Sequence, residues 1–95
     1  MTQIALITGA SQGIGRSLSF HLAQKGYYII AAARSKDKLD TLLDEIHSNG
    51  GKGSSMALDV SSSESIYQFK REIEVIGVPS LIINNAGIED GYLLK

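Results

Sequence analysis

Residues 8–15, Thr8-Gly9-Ala10-Ser11-Gln12-Gly13-Ile14-Gly15, follow directly on the apolar run Ile4-Ala5-Leu6-Ile7 and lead straight into a helical pattern. A strand that turns through glycines into a helix restricts the architecture to a few solutions. The first glycine lets the chain leave the strand sharply. The second leaves no Cβ between the backbone and an approaching group. The third lets the helix lie close on the strand. Gly9, Gly13 and Gly15 stand in these three places in order. The first N–H groups of such a helix have no partner inside it, and its dipole is positive at that end. The turn therefore suits an anion, a pyrophosphate above all.

The rest of the chain repeats the strand–helix alternation. A first strand is expected at about 3–8 and a first helix from Gly13 to about Lys25, with Ile14, Leu18 and Leu22 on one face and Gly26 as its stop. The run at 27–33 is apolar throughout, as in a strand buried on both faces. Ser35 is read as the N-cap of a second helix, with Asp37 in its first turn and Leu39, Leu42, Leu43 and Ile46 at helical spacing. Asn49-Gly50-Gly51 ends it. A third strand near 53–59 contains Ser54 and Ser55, poor strand formers, and suits a sheet edge. Ser61 and Glu64 read as a capping box for a third helix, which buries Ile66, Phe69, Ile73 and Ile76 and stops at Gly77 and Pro79. A fourth strand is placed at 80–85. Four strands and three helices in strict alternation imply an α/β, doubly wound parallel sheet of Rossmann type in order 3-2-1-4. The first two helices should cover one face and the third the other. A ligand crevice is expected at the carboxyl ends of strands 1 and 4, where the order reverses.

Composition narrows the function classes. Ninety-five residues, 43% apolar and 20% charged, make one domain at most, with a small core. The net charge is −1 and no Lys/Arg stripe is present, so nucleic acid and anionic membranes have no electrostatic support as partners. There is no cysteine, which excludes disulfides and thiolate metal sites. The chain enters its first strand without a basic leader or a long apolar segment, which fits a cytoplasmic location. His21 and His47 stand alone on their helices, with no second ligand at metal spacing, so no metal site is expected.

The spacing Gly-x-x-x-Gly-x-Gly differs from the commoner Gly-x-Gly-x-x-Gly, and no Gly-Lys-Ser/Thr follows as in a Walker A loop. Preceded by Thr8, and joined by Leu58-Asp59-Val60 and Asn84-Asn85-Ala86-Gly87 at the ends of strands 3 and 4, it resembles the short-chain dehydrogenase/reductase family in its non-extended branch. The stretch 84–94 looks most like members that reduce 3-oxoacyl thioesters. The resemblance runs the whole length of the chain but covers only the first half of the family pattern. It implies a dinucleotide held by Gly9, Ser11, Gln12, Gly13, Ile14 and Gly15 at the pyrophosphate. It also implies Asp59 and Val60 against the adenine, and Asn84, Asn85, Ala86 and Gly87 beside the ribose. An alternative role for Asp59 is local, as a carboxylate favoured near the start of the third helix.

Strand 2 ends in Ala33-Arg34. An NAD site places an acidic residue here for the ribose diol, and Ala33 lacks that carboxylate. Arg34 offers a planar, permanently charged fork for a phosphate. NADP(H) in preference to NAD(H) is therefore expected. In the family a second basic residue often precedes the second glycine; Gln12 stands there, so Arg34 works with Ser11 instead.

Hydride transfer in the resembling family uses a Ser and a Tyr-x-x-x-Lys pair, the Lys lowering the Tyr pKa. None of Tyr27, Tyr28, Tyr67 and Tyr92 has a Lys four residues on, so no catalytic residue is assigned. The chain reads as a cofactor-binding half at residues 1–95 without a catalytic half. Two other readings stand beside it: a stand-alone dinucleotide-binding module, and a structural chain that acts by self-association. The apolar Leu81-Ile82-Ile83 at a sheet edge leads us to expect a homo-oligomer formed through the fourth strand.

Overall fold

Unbroken apolar runs such as IALIT and YIIAAA make strands that need cover on both faces, and parallel pairing between helices supplies it. The fold was obtained as a computed structural model, which describes residues 2–11, 13–59 and 61–85. In chain order the elements are β1 (Ile4–Thr8), α1 (Gly13–Gln24), β2 (Tyr28–Ala33), α2 (Lys36–Ser48), β3 (Lys52–Ala57), α3 (Ser63–Ile76) and β4 (Leu81–Asn84). The sheet order is β3-β2-β1-β4 with every pairing parallel. Leu6 stands opposite both Ile30 of β2 and Ile82 of β4, and Ile30 stands opposite Ser54 of β3.

The period of two divides the strands between two layers. Ala5, Ile7, Ile29, Ala31 and Ala33 pack with Ala23 of α1 and with Leu39, Leu42, Leu43 and Ile46 of α2. Leu6, Ile30, Ala32, Met56 and Leu58 face Phe69 of α3, with Ile66, Ile73 and Ile76 around it. The first two helices thus share one face and the third crosses to the other. β4 contributes Leu81 and Ile83 to the first layer, while Ile82, on the opposite face, is 62% exposed.

Two local expectations need correction. The innermost face of α1 is Gly15, Ser19 and Ala23; of the expected stripe Leu22 packs against the core at its margin, whereas Ile14 is 68% exposed. Small residues at four-residue spacing let the helix lie nearer the sheet than a row of branched side chains would. Ser19 is fully buried and satisfies its hydroxyl on the Gly15 carbonyl at 2.7 Å. The second correction concerns α3. Its N-cap is Ser62, whose Oγ accepts from the Ser65 N–H at 3.2 Å, so the box does not run from Ser61 to Glu64. Ser61 is already engaged by Asp59. Ser35 does stand at the cap of α2 in extended backbone, but its side chain makes no capping bond. Among the described residues no helix is long and apolar enough to cross a membrane.

Candidate dinucleotide site

The site is built at the carboxyl ends of the strands, starting from Thr8, the last residue of β1. Its buried hydroxyl donates to Asn84 Oδ1 at 3.1 Å and accepts from the Asn85 N–H at 2.9 Å. Asn85, 7% exposed, donates from Nδ2 to the Gly9 carbonyl at 3.2 Å. One strand end is therefore sewn to the other through a hydroxyl and two amides. The following residue, Ala10, is fully buried and donates its N–H to the Ala32 carbonyl of β2 at 3.2 Å. The loop that leaves β1 is thus fixed on both sides before α1 begins.

Glycine is required here for two different reasons. Gly9 and Gly13 both have φ of 63°, in the left-handed region. A Cβ on Gly15 would stand 2.7 Å from Asn85 Nδ2 and would collide with the Gly9 carbonyl oxygen. Around Gly13, by contrast, a Cβ would meet nothing within 4 Å. Gly15 is the close-packing glycine. Gly13 borders open space at the positive end of α1, where the first N–H groups have no helical acceptor. Ile14 lies in that same first turn with its side chain exposed, and Ser11 is half-buried in the loop before it.

Arg34 follows the last residue of β2 and is exposed. The Leu58 N–H donates to the Ala33 carbonyl at 2.9 Å, which brings the chain after β3 level with Arg34. Asp59 comes next. Its Oδ1 accepts from the Ser61 hydroxyl at 2.6 Å and from the Ser61 N–H at 3.0 Å, and its own N–H donates to Ser65 Oγ at 2.9 Å. Those two Ser61 bonds hold the Asp59 carboxyl below the ordinary aspartate range. The nearby positive charge of Arg34 adds to the effect, and partial desolvation opposes it. The local role of Asp59 as organiser of the approach to α3 is therefore realised in the structure.

The expected residues thus fall into two groups on one rim of the sheet. Gly9, Ser11, Gly13, Ile14, Gly15, Asn84 and Asn85 surround the end of β1 and β4. Arg34 and Asp59 stand beyond β2 and β3. Gln12, Val60, Ala86 and Gly87 lie outside the described residues, as do Tyr92 and the rest of 86–95. Sequence reasoning missed the tie that Thr8 makes to Asn84 and Asn85, and it missed Ser61 and Ser65 as partners of Asp59. Asp-x-Ser is an Asx-turn signal, and a Thr ahead of a glycine turn is a candidate tie between strand ends, so both could have been found. Among the described residues no group of three His, Asp or Glu side chains could hold a metal ion.

A four-stranded 3-2-1-4 parallel sheet with a glycine turn at its topological switch point defines a protein of Rossmann-type fold. The family profile for short chain dehydrogenases matches residues 3–94, and the chain belongs to that family. It is 37% identical over 93 residues to a 3-oxoacyl-(acyl-carrier-protein) reductase, FabG, of Pseudomonas aeruginosa, a match covering 97% of this chain and 38% of the relative. It is 42% identical over 83 residues to an NADPH-dependent pterin aldehyde reductase of Arabidopsis thaliana, covering 86% of this chain and 34% of that one. A crystal structure of a metagenomic short-chain oxidoreductase in complex with NADP superposes with a TM-score of 0.83 at 36% identity, over 90% of this chain and 39% of that one. The chain therefore spans well under half the length of the relatives it matches.

Proposed function

We propose that residues 1–95 form the NADP(H)-binding half of a short-chain oxidoreductase that moves hydride between nicotinamide and a carbonyl or alcohol. The pyrophosphate lies on the turn from Gly9 to Gly15, including Ser11, Gln12 and Ile14. The adenine lies toward Asp59 and Val60, where Asp59 has acceptor capacity beyond its Ser61 bonds. The ribose lies along Asn84, Asn85, Ala86 and Gly87. NADP(H) is preferred over NAD(H). A single observation carries this: β2 ends in Ala33, without a carboxylate, and the exposed Arg34 follows at the carboxyl edge of the sheet. The NADP complex of the similar metagenomic oxidoreductase supports the same choice. No tyrosine in the sequence carries the Tyr-x-x-x-Lys spacing, so the 95-residue chain binds cofactor without turning over substrate. This chain also self-associates through β4, which pairs on one side only among the described residues.

Calorimetric titration of the chain with NADPH and NADH tests the cofactor assignment. A charge-assisted hydrogen bond contributes about 1.5–3 kcal/mol, so Arg34→Ala narrows the preference by about tenfold or more. Equal affinities for the two cofactors in the unmodified chain would refute it. Absorbance at the nicotinamide band, with a carbonyl substrate and a preparation holding residues 1–95 only, stays constant. Steady NADPH oxidation would overturn the non-catalytic reading.

A further inference from the structure

Arg16 has no part in the site just described, although it follows Gly15 directly in the first turn of α1. Its guanidinium reaches across to α2 instead. Nη1 donates to the Lys38 carbonyl at 3.2 Å, and Nη2 donates to Glu45 Oε1 at 3.1 Å. Lys38 lies in the first turn of α2, and Glu45 lies two turns further along. One planar fork therefore grips two points on α2, which fixes both its position along the axis and its rotation against α1.

Ser35 makes no side-chain cap bond. Residues 34–38 are all exposed, and the first fully buried side chain of the helix is Leu39. On its far side, Ser55 of β3 donates to Asp40 at 3.0 Å. Exposed ion pairs contribute little to stability. The consequence of the Arg16 fork is therefore positional: it sets where the first turn of α2 stands, and Arg34 lies two residues ahead of that turn.

We propose that Arg16 is a positioning residue for cofactor choice. The first turn of α1 carries both Gly13, beside the open end of the helix, and the tie to α2. Beside the backbone bond from Ala10 to Ala32, which ties the turn to β2, this side chain is a second tie between the pyrophosphate turn and the segment that carries Arg34. A directional, charge-assisted contact to the 2′-phosphate is sensitive to the distance between the two, whereas a nucleotide without this phosphate is not. The proposal rests on the reading of Arg34 as the phosphate partner.

The test compares the unmodified chain with Arg34→Ala, Arg16→Gln, Arg16→Lys and the Arg34→Ala/Arg16→Gln pair. Each is titrated with NADPH and NADH, and with adenosine 2′,5′-bisphosphate and 5′-AMP as minimal probes. Amide hydrogen exchange is followed across residues 34–38. Arg16→Gln is expected to weaken NADPH and the bisphosphate about fivefold or more, with NADH and 5′-AMP unchanged within about twofold. Arg16→Lys keeps one donor and recovers part of the loss. In the Arg34→Ala background Arg16→Gln adds nothing, because the contact it positions is gone. Exchange at 34–38 rises in Arg16→Gln while exchange in β2 does not. Equal losses for both nucleotides, additive effects in the double variant, or unchanged exchange at 34–38 would each overturn the role. If Arg34→Ala abolishes the preference and Arg16→Gln leaves it intact, only the positioning role fails. If Arg34→Ala leaves the preference intact, the reading of Arg34 fails and takes the positioning role with it.

Discussion

Gly13 and Gly15 differ by two positions and by the physics that requires them. A methyl on Gly15 has nowhere to go, because the Gly9 carbonyl and Asn85 Nδ2 already occupy the space. Gly15→Ala is expected to cost about 3 kcal/mol or more, since backbone at the neck of the loop must move. A methyl on Gly13 meets nothing, but its φ of 63° disfavours any L side chain by about 1–2 kcal/mol. Gly13→Ala should fold, and it should lose NADPH affinity more than stability. Denaturant melts and titrations of the two variants separate the roles, and similar stability losses would show the distinction to be wrong. Asp59 gives a residue-scale prediction in pH. Its folded pKa lies below the ordinary aspartate value, so its contribution to stability is fully present above that range. The contribution disappears as pH falls through the lower folded value. In Ser61→Ala, carbon-detected NMR titration of the Asp59 carboxyl should show its midpoint moving up toward the ordinary value. An unmoved midpoint would mean that Ser61 is not the main cause. The glycines were legible in the sequence because turn, approach and packing each demand glycine at a set spacing. The Thr8–Asn84–Asn85 knot was less so, because its members are more than seventy residues apart in the chain.

At the scale of elements, apolar patterning located six, the third strand followed from its place between the Asn49-Gly50-Gly51 stop and the third helix, and the errors were in phase. α1 contains Ile14, Leu18 and Leu22 at a spacing that suggests a buried stripe, yet Gly15, Ser19 and Ala23 face the sheet. Periodicity ranks side chains by hydrophobicity, whereas close approach to a strand is governed by size. The α3 cap slipped by one residue for a similar reason. Ser61, Ser62 and Ser63 are equivalent by propensity, and only the demand of the Asp59 carboxylate on Ser61 leaves Ser62 as the cap. The two serine caps make a matched pair of tests. Ser62→Ala should remove about 1 kcal/mol, seen as a drop of roughly 4–8 °C in melting temperature for a domain of this size. Ser35→Ala should change the melting temperature far less, because no side-chain bond is lost. Equal drops would mean that Ser35 caps α2 in solution.

The whole molecule is a sheet whose two halves are covered unequally. Strand order, parallel pairing and the division of helices between faces were legible because right-handed crossovers leave a chain of this pattern little choice. Among the described residues β4 pairs with β1 alone. α1 and α2 share the layer against which Leu81 and Ile83 lean, but on the other face Ile82 is 62% exposed. At the end of α3, Val75 is 87% exposed and Val78 is 90% exposed. Leu81 to Ile83 carries no charge, and an apolar edge with free N–H and C=O groups is a template for another strand. A second copy of the chain offers the same edge, and a two-fold arrangement lets the two satisfy each other in a closed dimer. The 95-residue chain is therefore expected to sediment as a dimer at moderate concentration. Ile82→Lys, which puts a charge on the uncovered face without touching the layer beneath Leu81 and Ile83, should shift it to monomer while leaving its helical circular dichroism intact. A cooperative, well-folded monomer of the unmodified chain at high concentration would show that β4 is not an association edge.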